Sequence, residues 1–232
     1  MKKASAAEHS RFMSAVGSIQ YIASVTRPDL SYAAHALAKH MACSAEEHWP
    51  AVQHVLRYLQ FTKNLGITFN GSDDGSRLVE AYSDADFANS ADLRSVSGMV
   101  IRVYGNTVAW RSKRQDTIAG DTTEAEIIAM TSAAKSLMWL KYLLVDLHFR
   151  PEKPVLWGDN KSANIIAVNA ISSDRSKHIR VQHLKVREFI QRDEMVVQWV
   201  GTTDMLADVM TKVLPGPAMS IVRDKFQLRE CS

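Results

Sequence analysis

Apolar positions recur at helical spacing through the opening third of the chain. In EHSRFMSAVGSIQYIASV, Phe12, Val16, Ile19, Ile22 and Ala23 fall on one stripe, which predicts a helix. TRPDLSYAAHALAKHM begins a second helix, with Pro28 in the first turn, where its missing N–H costs nothing. Ser44 and Glu47 have the spacing of a capping box ahead of a third helix, whose apolar face is Trp49, Val52, Val55, Leu56 and Leu59. The three helices are expected to pack on one another.

The pattern then changes. GSDDGSR, Gly71 to Arg77, contains no apolar residue and is the expected domain boundary. Beyond it LVEAYSDADF reads as a strand, and SGMVIRVY and TVAWRS as two more, joined by Gly105-Asn106 as a two-residue hairpin turn. TTEAEIIAMTSAAKSLMWLKYLLVDL predicts a long helix that buries Ile127, Met130, Ala134, Leu137 and either Leu140 or Tyr142. A strand (PVLWGD), a helix (NKSANIIAV), a basic helix (HIRVQHLKVREFIQ), a strand (MVVQWV) and a terminal helix (DMLADVMTK) follow. Strands interleaved with helices make this region α/β.

Composition narrows the function classes. With 232 residues and 46% hydrophobic content the chain can bury a substantial core. No apolar run approaches the roughly 20 residues that span a bilayer, and MKKASAAEHSRF has no apolar targeting segment. A membrane role and secretion are therefore not expected, and an intracellular setting, cytoplasm or nucleus, is. Cys43 and Cys231 lack any metal-ligand spacing, so reduced thiols and no zinc site are predicted. A net charge of +3 permits a polyanionic partner without requiring one. Basic residues gather in RSKRQ, from Arg111 to Gln115, and between Ser172 and Glu188.

Four carboxylates stand out by context: Asp84 in YSDADFA, Glu126 in TTEAEIIAM, Asp159 in LWGDNKSA and Asp208 in DMLADVMTK. Asp84 and Asp159 each follow a strand-like run, where the sites of open α/β sheets form. A two-metal phosphodiesterase needs several oxygen ligands converging on hard cations roughly 3.5–4 Å apart, and four acids from four elements could supply them. Crowded carboxylates without cations should repel one another and hold raised pKa values.

YSDADFA, SVSGMV, AWRSKRQ, TTEAE, GDNKSA, SKHI and LADVMTK resemble, in order, the ribonuclease H region of copia-type LTR-retrotransposon Pol polyproteins, from about Ala81 to Leu214. The stretch from VGSIQYIASVTRPDL through about Phe69 resembles the end of the same family's reverse transcriptase, its thumb or connection part. The resemblance implies a ribonuclease H-like fold, a mixed five-stranded sheet with helices, preceded by a small helical segment. It divides the chain into a helical thumb-like segment (1–70), a ribonuclease H domain (78–214) and a C-terminal tail (215–232). Asp73-Asp74 do not replace the polymerase aspartates, because they sit in a loop rather than a Tyr-x-Asp-Asp hairpin, and no polymerase activity is expected.

The same resemblance makes Asp84, Glu126, Asp159 and Asp208 the metal ligands and catalytic acids, with Mg²⁺ the expected ion and Mn²⁺ a substitute. The implied reaction is hydrolysis of the RNA strand of an RNA–DNA hybrid, the cleaved strand recognised by its 2′-hydroxyls. Candidate nucleic-acid contacts are Arg94, Ser95, Arg111, Lys113, Arg114, Asn160, Lys177 and His178, with a structural turn role the equal alternative for Arg94 and Ser95. Thr122 or Thr123 is expected to cap the helix of Glu126, with Glu124 adding charge at its start, and Asn160 can equally be a cap. His178 and His183 are candidate general acids, although the loop VGTTDM before Asp208 has no histidine. Two departures bear on activity: Asp121 adds a negative charge before TEAE, and Ile127 stands where the family usually has tyrosine. The alternative function is a catalytically silent or host-adopted binding module. The N-terminal helices could in either case hold a second copy or a polyprotein partner.

Overall fold

The computed structural model describes residues 3–70, 78–88, 92–168 and 180–230, the side chains of 180–184 excepted. The expected boundary GSDDGSR lies outside the described residues, as do Lys177 and His178; the side chain of His183 does too. The chain divides into two compact units, Met1–Thr68 with Val213–Ser232, and Phe69–Lys212.

In the first unit, α1 (Ala6–Val25), α2 (Ser31–Ala38) and α3 (Trp49–Phe61) surround a core of Phe12, Val16, Ile19, Ala23, Leu30, Leu37, Val52 and Val55. Ser5 and Glu8 form a reciprocal capping box at the start of α1. The box expected at Ser44 and Glu47 is replaced. Ser44 Oγ meets His9 Nδ1 at 2.9 Å, and His48 Nδ1 accepts the Ala45 N–H at 3.0 Å within a short 3₁₀ turn ahead of α3. Between α1 and α2, Pro28 opens another 3₁₀ turn, where buried Arg27 forks onto Asp29 at 2.9 and 2.8 Å and reaches Thr62 O and Oγ1. Tyr58 donates to Asp29 Oδ2 at 2.6 Å, so the buried charge pair is satisfied on every side. Burial and the neighbouring carboxylate push the Tyr58 hydroxyl up to about 12.

The stretch 215–232, expected as a tail, joins this first unit. It carries α8 (Gly216–Lys225) and a strand, β7 (Leu228–Glu230), which pairs antiparallel with β1 (Leu65–Ile67). Phe226 and Leu228 are buried there.

The second unit is a five-stranded sheet of β2 (Val79–Asp86), β3 (Val96–Val103), β4 (Asn106–Arg114), β5 (Val155–Gly158) and β6 (Val196–Trp199). Its order is β4-β3-β2-β5-β6; β2, β3 and β4 are antiparallel, and β5 and β6 run parallel to β2. This mixed sheet with its helices is the ribonuclease H-like arrangement the motifs imply. The hairpin turn lies one residue earlier than expected, at Tyr104-Gly105. Both have positive φ, 52° and 79°, as a type I′ turn requires. Asn106 instead opens β4, its Nδ2 donating to Tyr104 O at 3.0 Å.

The core lies between the sheet and α4 (Thr122–Asp146), backed by α5 (Lys161–Val168) and α6 (Arg180–Gln191). Because side chains alternate along a strand, Val79 and Ala81 enter this core with Met99, Ile101, Met130, Leu137 and Leu156. Glu80, Tyr82 and Asp84 project the other way. Leu140 packs against the core, whereas Tyr142 is exposed. The terminal helix is a single turn, α7 (Asp208–Thr211), packed on β3, β2 and β4.

Candidate active site

Strand pairing brings the first two acids together. Ser83 of β2 is in register with Gly158 of β5, so Asp84 and Asp159 come next on neighbouring parallel chains. Asn164 fixes the end of β5, donating Nδ2 to Gly158 O at 2.9 Å. A Cβ at Gly158 would meet Asn164 Oδ1 at 2.5 Å, so a larger residue there would displace the Asn164 amide that holds this strand end. Trp199 Nε1 donates to Asp159 O at 3.0 Å, and Lys161 Nζ covers the indole 4.7 Å from its centre.

Asp208 arrives from α7. Asp84 is in register with Gly98 of β3, and a Cβ at Gly98 would lie 2.7 Å from Met210 Cβ and 2.8 Å from Ala207 O and Thr211 Cγ2. The missing side chain lets α7 sit directly on the strand. Thr211, fully buried, donates its hydroxyl to Asp84 Oδ2, with Asp208 O 3.1 Å away as a second acceptor. One oxygen from each of Asp84, Asp159 and Asp208 lies within 4.8 Å of the others, and among the described residues this is the acidic group able to hold a metal.

Glu126 stands outside that group but belongs to its electrostatics. It is buried in the first turns of α4, and its carboxyl is pushed up to about 9 by burial, then by Asp84 and Asp159, against a hydrogen bond from the Ala85 backbone. Burial and Asp84 likewise raise Asp159. Asp208 rises to about 6 through burial, a rise that Lys212 opposes and Asp84 adds to. Burial leads each of these upward shifts, and the repulsion expected of crowded acids adds to it. Lys212 Nζ lies 2.8 Å from Asp208 Oδ1, a close ion pair beside the other acids. Burial lowers the lysine's pKa, but Asp208, Asp84 and Asp159 raise it further, and the net shift is upward.

The helix caps differ from expectation. Asp121, not Thr122 or Thr123, caps α4 by accepting the Glu124 N–H at 2.8 Å, and Glu124 accepts the Gly120 N–H at 2.6 Å. The extra negative charge before TEAE is therefore a cap. Asn160 Oδ1 accepts the Ala163 N–H at 3.0 Å, capping α5 beside Asp159.

The candidate nucleic-acid contacts separate by exposure. Ser95 is fully buried, its Oγ accepting the Ala88 N–H, so it shapes the β2–β3 connection and cannot reach a phosphate. Arg114 and Arg94 converge on Asp92 at 2.7 and 3.8 Å, and Lys113 pairs with Asp116 at 3.1 Å. Such surface pairs contribute little to stability. Exposed Arg111 donates to Ser132 of α4.

Thr211 and Lys212 were not singled out from the sequence as site residues. The available signal was spacing, three and four residues after Asp208, which on one helical turn returns both side chains to the same face. Gln115 was missed as well: buried, it donates Nε2 to Ser97 Oγ at 2.8 Å and Ala125 O at 2.9 Å, tying β4 to the turn before Glu126.

No protein-family model matches the chain. It is 36% identical over 218 residues to the retrovirus-related Pol polyprotein from transposon TNT 1-94 of Nicotiana tabacum, an alignment covering 94% of this chain and 16% of that protein. It is 41% identical over 130 residues to secreted RxLR effector protein 161 of Plasmopara viticola, covering 56% of this chain and 90% of that one. Among solved structures, LC11-RNase H1 isolated from compost aligns with a TM-score of 0.47 at 17% identity, over 62% of this chain and 97% of that one. The chain thus spans about one-sixth of the polyprotein it matches.

Proposed function

We propose that this chain, which belongs to the retrovirus-related Pol polyproteins of copia-type transposons, is a metal-dependent endonuclease that hydrolyses the RNA strand of RNA–DNA hybrids. The observation that carries the reading is the convergence of Asp84, Asp159 and Asp208 within 4.8 Å, with Glu126 coupled to two of them.

The donor set suits Mg²⁺, with Mn²⁺ as a substitute. All the ligand atoms are hard carboxylate oxygens, and a cation would offset both the burial and the mutual repulsion that raise Glu126, Asp159 and Asp208. When bound, divalent ions supply an activated water and stabilise the leaving oxygen. The chain's own part is orientation. Thr211 turns Asp84 toward the centre, Trp199 fixes the Asp159 backbone, and Asn160 holds the start of α5 in place. No covalent nucleophile is needed. Arg111, Lys113 and Arg114, exposed along β4, are the phosphate contacts this reading prefers, with Arg94 at the connection. Residues 78–214 would form the nuclease and 1–70 a thumb-like segment of the parent polymerase, open to a polyprotein partner or a second copy. No helix among the described residues is long and apolar enough to cross a membrane.

A second reading, an adopted binding module, is favoured by the effector-named relative, nine-tenths of which aligns with this chain. A labelled RNA–DNA hybrid with Mg²⁺ or Mn²⁺, beside Asp159→Asn and a duplex-RNA control, separates the two. Cleavage of the hybrid's RNA by the parent alone supports the nuclease. Hybrid binding without cleavage in either metal overturns it in favour of the module.

A further inference from the structure

Three carboxylates converge on a space that one lysine already faces. Lys212 follows α7 directly, and its backbone N–H donates to Asp208 O at 3.0 Å, so the base of its side chain is fixed relative to the acid it pairs with. Its ammonium lies 2.8 Å from Asp208 Oδ1. Its charge opposes the upward shifts of Asp208, Asp159 and, least of the three, Glu126, all of them raised first by burial. The lysine side chain is 41% exposed, against 11% for Asp208, which leaves the ammonium a route into solvent that the acid lacks.

We propose that Lys212 is the resident counter-cation of the carboxylate cluster, holding the acids together when no divalent ion is bound and yielding its place to the first ion that loads. The idea rests on the metal-site reading given above. A monovalent charge at the rim of the group satisfies part of the repulsion among Asp84, Asp159 and Asp208, which lets α7 stay seated on β3. The same charge opposes an incoming divalent ion. Loading then requires the ammonium to swing outward, and the fixed backbone of Lys212 keeps it near enough to return when the ion leaves. The residue sets the ion concentration at which the site fills, rather than taking part in bond cleavage.

The test is metal-dependent thermal stability of the full chain, with calorimetric titration of Mg²⁺ and Mn²⁺, for the parent, Lys212→Met and Lys212→Arg. Lys212→Met is expected to melt lower than the parent in chelator and to reach half its metal-induced stabilisation at about tenfold less Mg²⁺, the size usual for coupled sites. Lys212→Arg keeps the charge and should behave as the parent. If the methionine variant does not fold in chelator, Lys212→Gln, which keeps a polar group over Asp208, serves in its place. An unchanged or raised Mg²⁺ requirement in the neutral variants overturns the proposal while leaving the metal site standing. A parent whose melting responds to neither ion overturns both.

Discussion

Gly98→Ala tests whether the site depends on how closely α7 approaches the sheet. The added Cβ would lie at 2.7 Å from Met210 Cβ, 2.8 Å from Ala207 O and 2.8 Å from Thr211 Cγ2. Two of those atoms are a backbone carbonyl and a Cβ, which no rotamer change can move, so α7 must shift as a body. Overpacking of this kind costs about 2 kcal/mol, which for a unit of this size lowers the melting temperature by roughly 4–8 °C. A shift of about 1 Å at Asp208 and Thr211 would also cost about 100-fold in cleavage rate. Gly17→Ala is the control: nothing lies within 4 Å of its added Cβ on α1, and the variant should gain about 0.5–1 kcal/mol from lower backbone entropy in the unfolded chain. Differential scanning calorimetry and hybrid cleavage at saturating Mg²⁺ read both effects. A Gly98→Ala protein that melts within a degree of the parent and cleaves at its rate would refute the argument that this glycine seats α7 against the sheet.

Thr211→Val removes the hydroxyl that Asp84 accepts while keeping the shape, and should cost about 1–2 kcal/mol in unfolding free energy and slow cleavage. Thr211→Ser should restore both, and equal behaviour of the two variants would show that only packing matters. Arg27→Met leaves Asp29 buried without its guanidinium partner, the Tyr58 hydroxyl still donating to it; a loss of about 3–5 kcal/mol is expected, seen by hydrogen exchange in α1 and α3. Glu126 predicts a pH dependence whose sign is definite. Its folded pKa of about 9 exceeds the model-peptide value of 4.5, so between those pH values the folded chain holds a proton the unfolded chain has released, and stability in chelator falls as pH rises. Asp208 adds the same sign between 3.8 and about 6. Urea unfolding at pH 5.5 and 8.5 should show the loss for the parent and a smaller one for Glu126→Gln; an equal loss in both would assign it elsewhere.

The residues that were legible in advance are those whose role is periodic or carried by a motif. Phe12, Val16, Ile19 and Ala23 were readable because burial on one face of a helix repeats every third or fourth residue. Asp84, Asp159 and Asp208 were readable because their surrounding words resemble a family in order. What escaped depends on which of several competent groups wins a local contest. Asp121 precedes Thr122 and Thr123 and takes the cap all three could supply. Ser44 has capping spacing, but His9, distant in sequence, claims its hydroxyl. The hairpin turn moved to Tyr104-Gly105 because Asn106 is more useful at the start of β4, where its amide also bonds Asn70. Thr211 and Lys212 gained meaning only once Gly98 had brought α7 against Asp84. The words around Ser95 allowed a phosphate contact or a structural turn role equally, and its burial selects the second.

The pairing of β1 with β7 has a consequence for how the molecule is made. The ribonuclease H-like unit is continuous in sequence, so it can acquire its structure as soon as residue 212 has left the ribosome. The helical unit cannot: its edge strand β1 waits for Leu228–Glu230, and its core waits for Phe226. Synthesis therefore runs through an interval in which the enclosed unit is complete and the enclosing one is not, with β1 exposed as an unpaired edge. Truncation at residue 212 should give a chain whose helical part is cut rapidly by protease while the five-stranded part resists, and shortening the chain past β7 is a graver lesion for residues 6–67 than for the site, although the site lies closer to β7 in sequence.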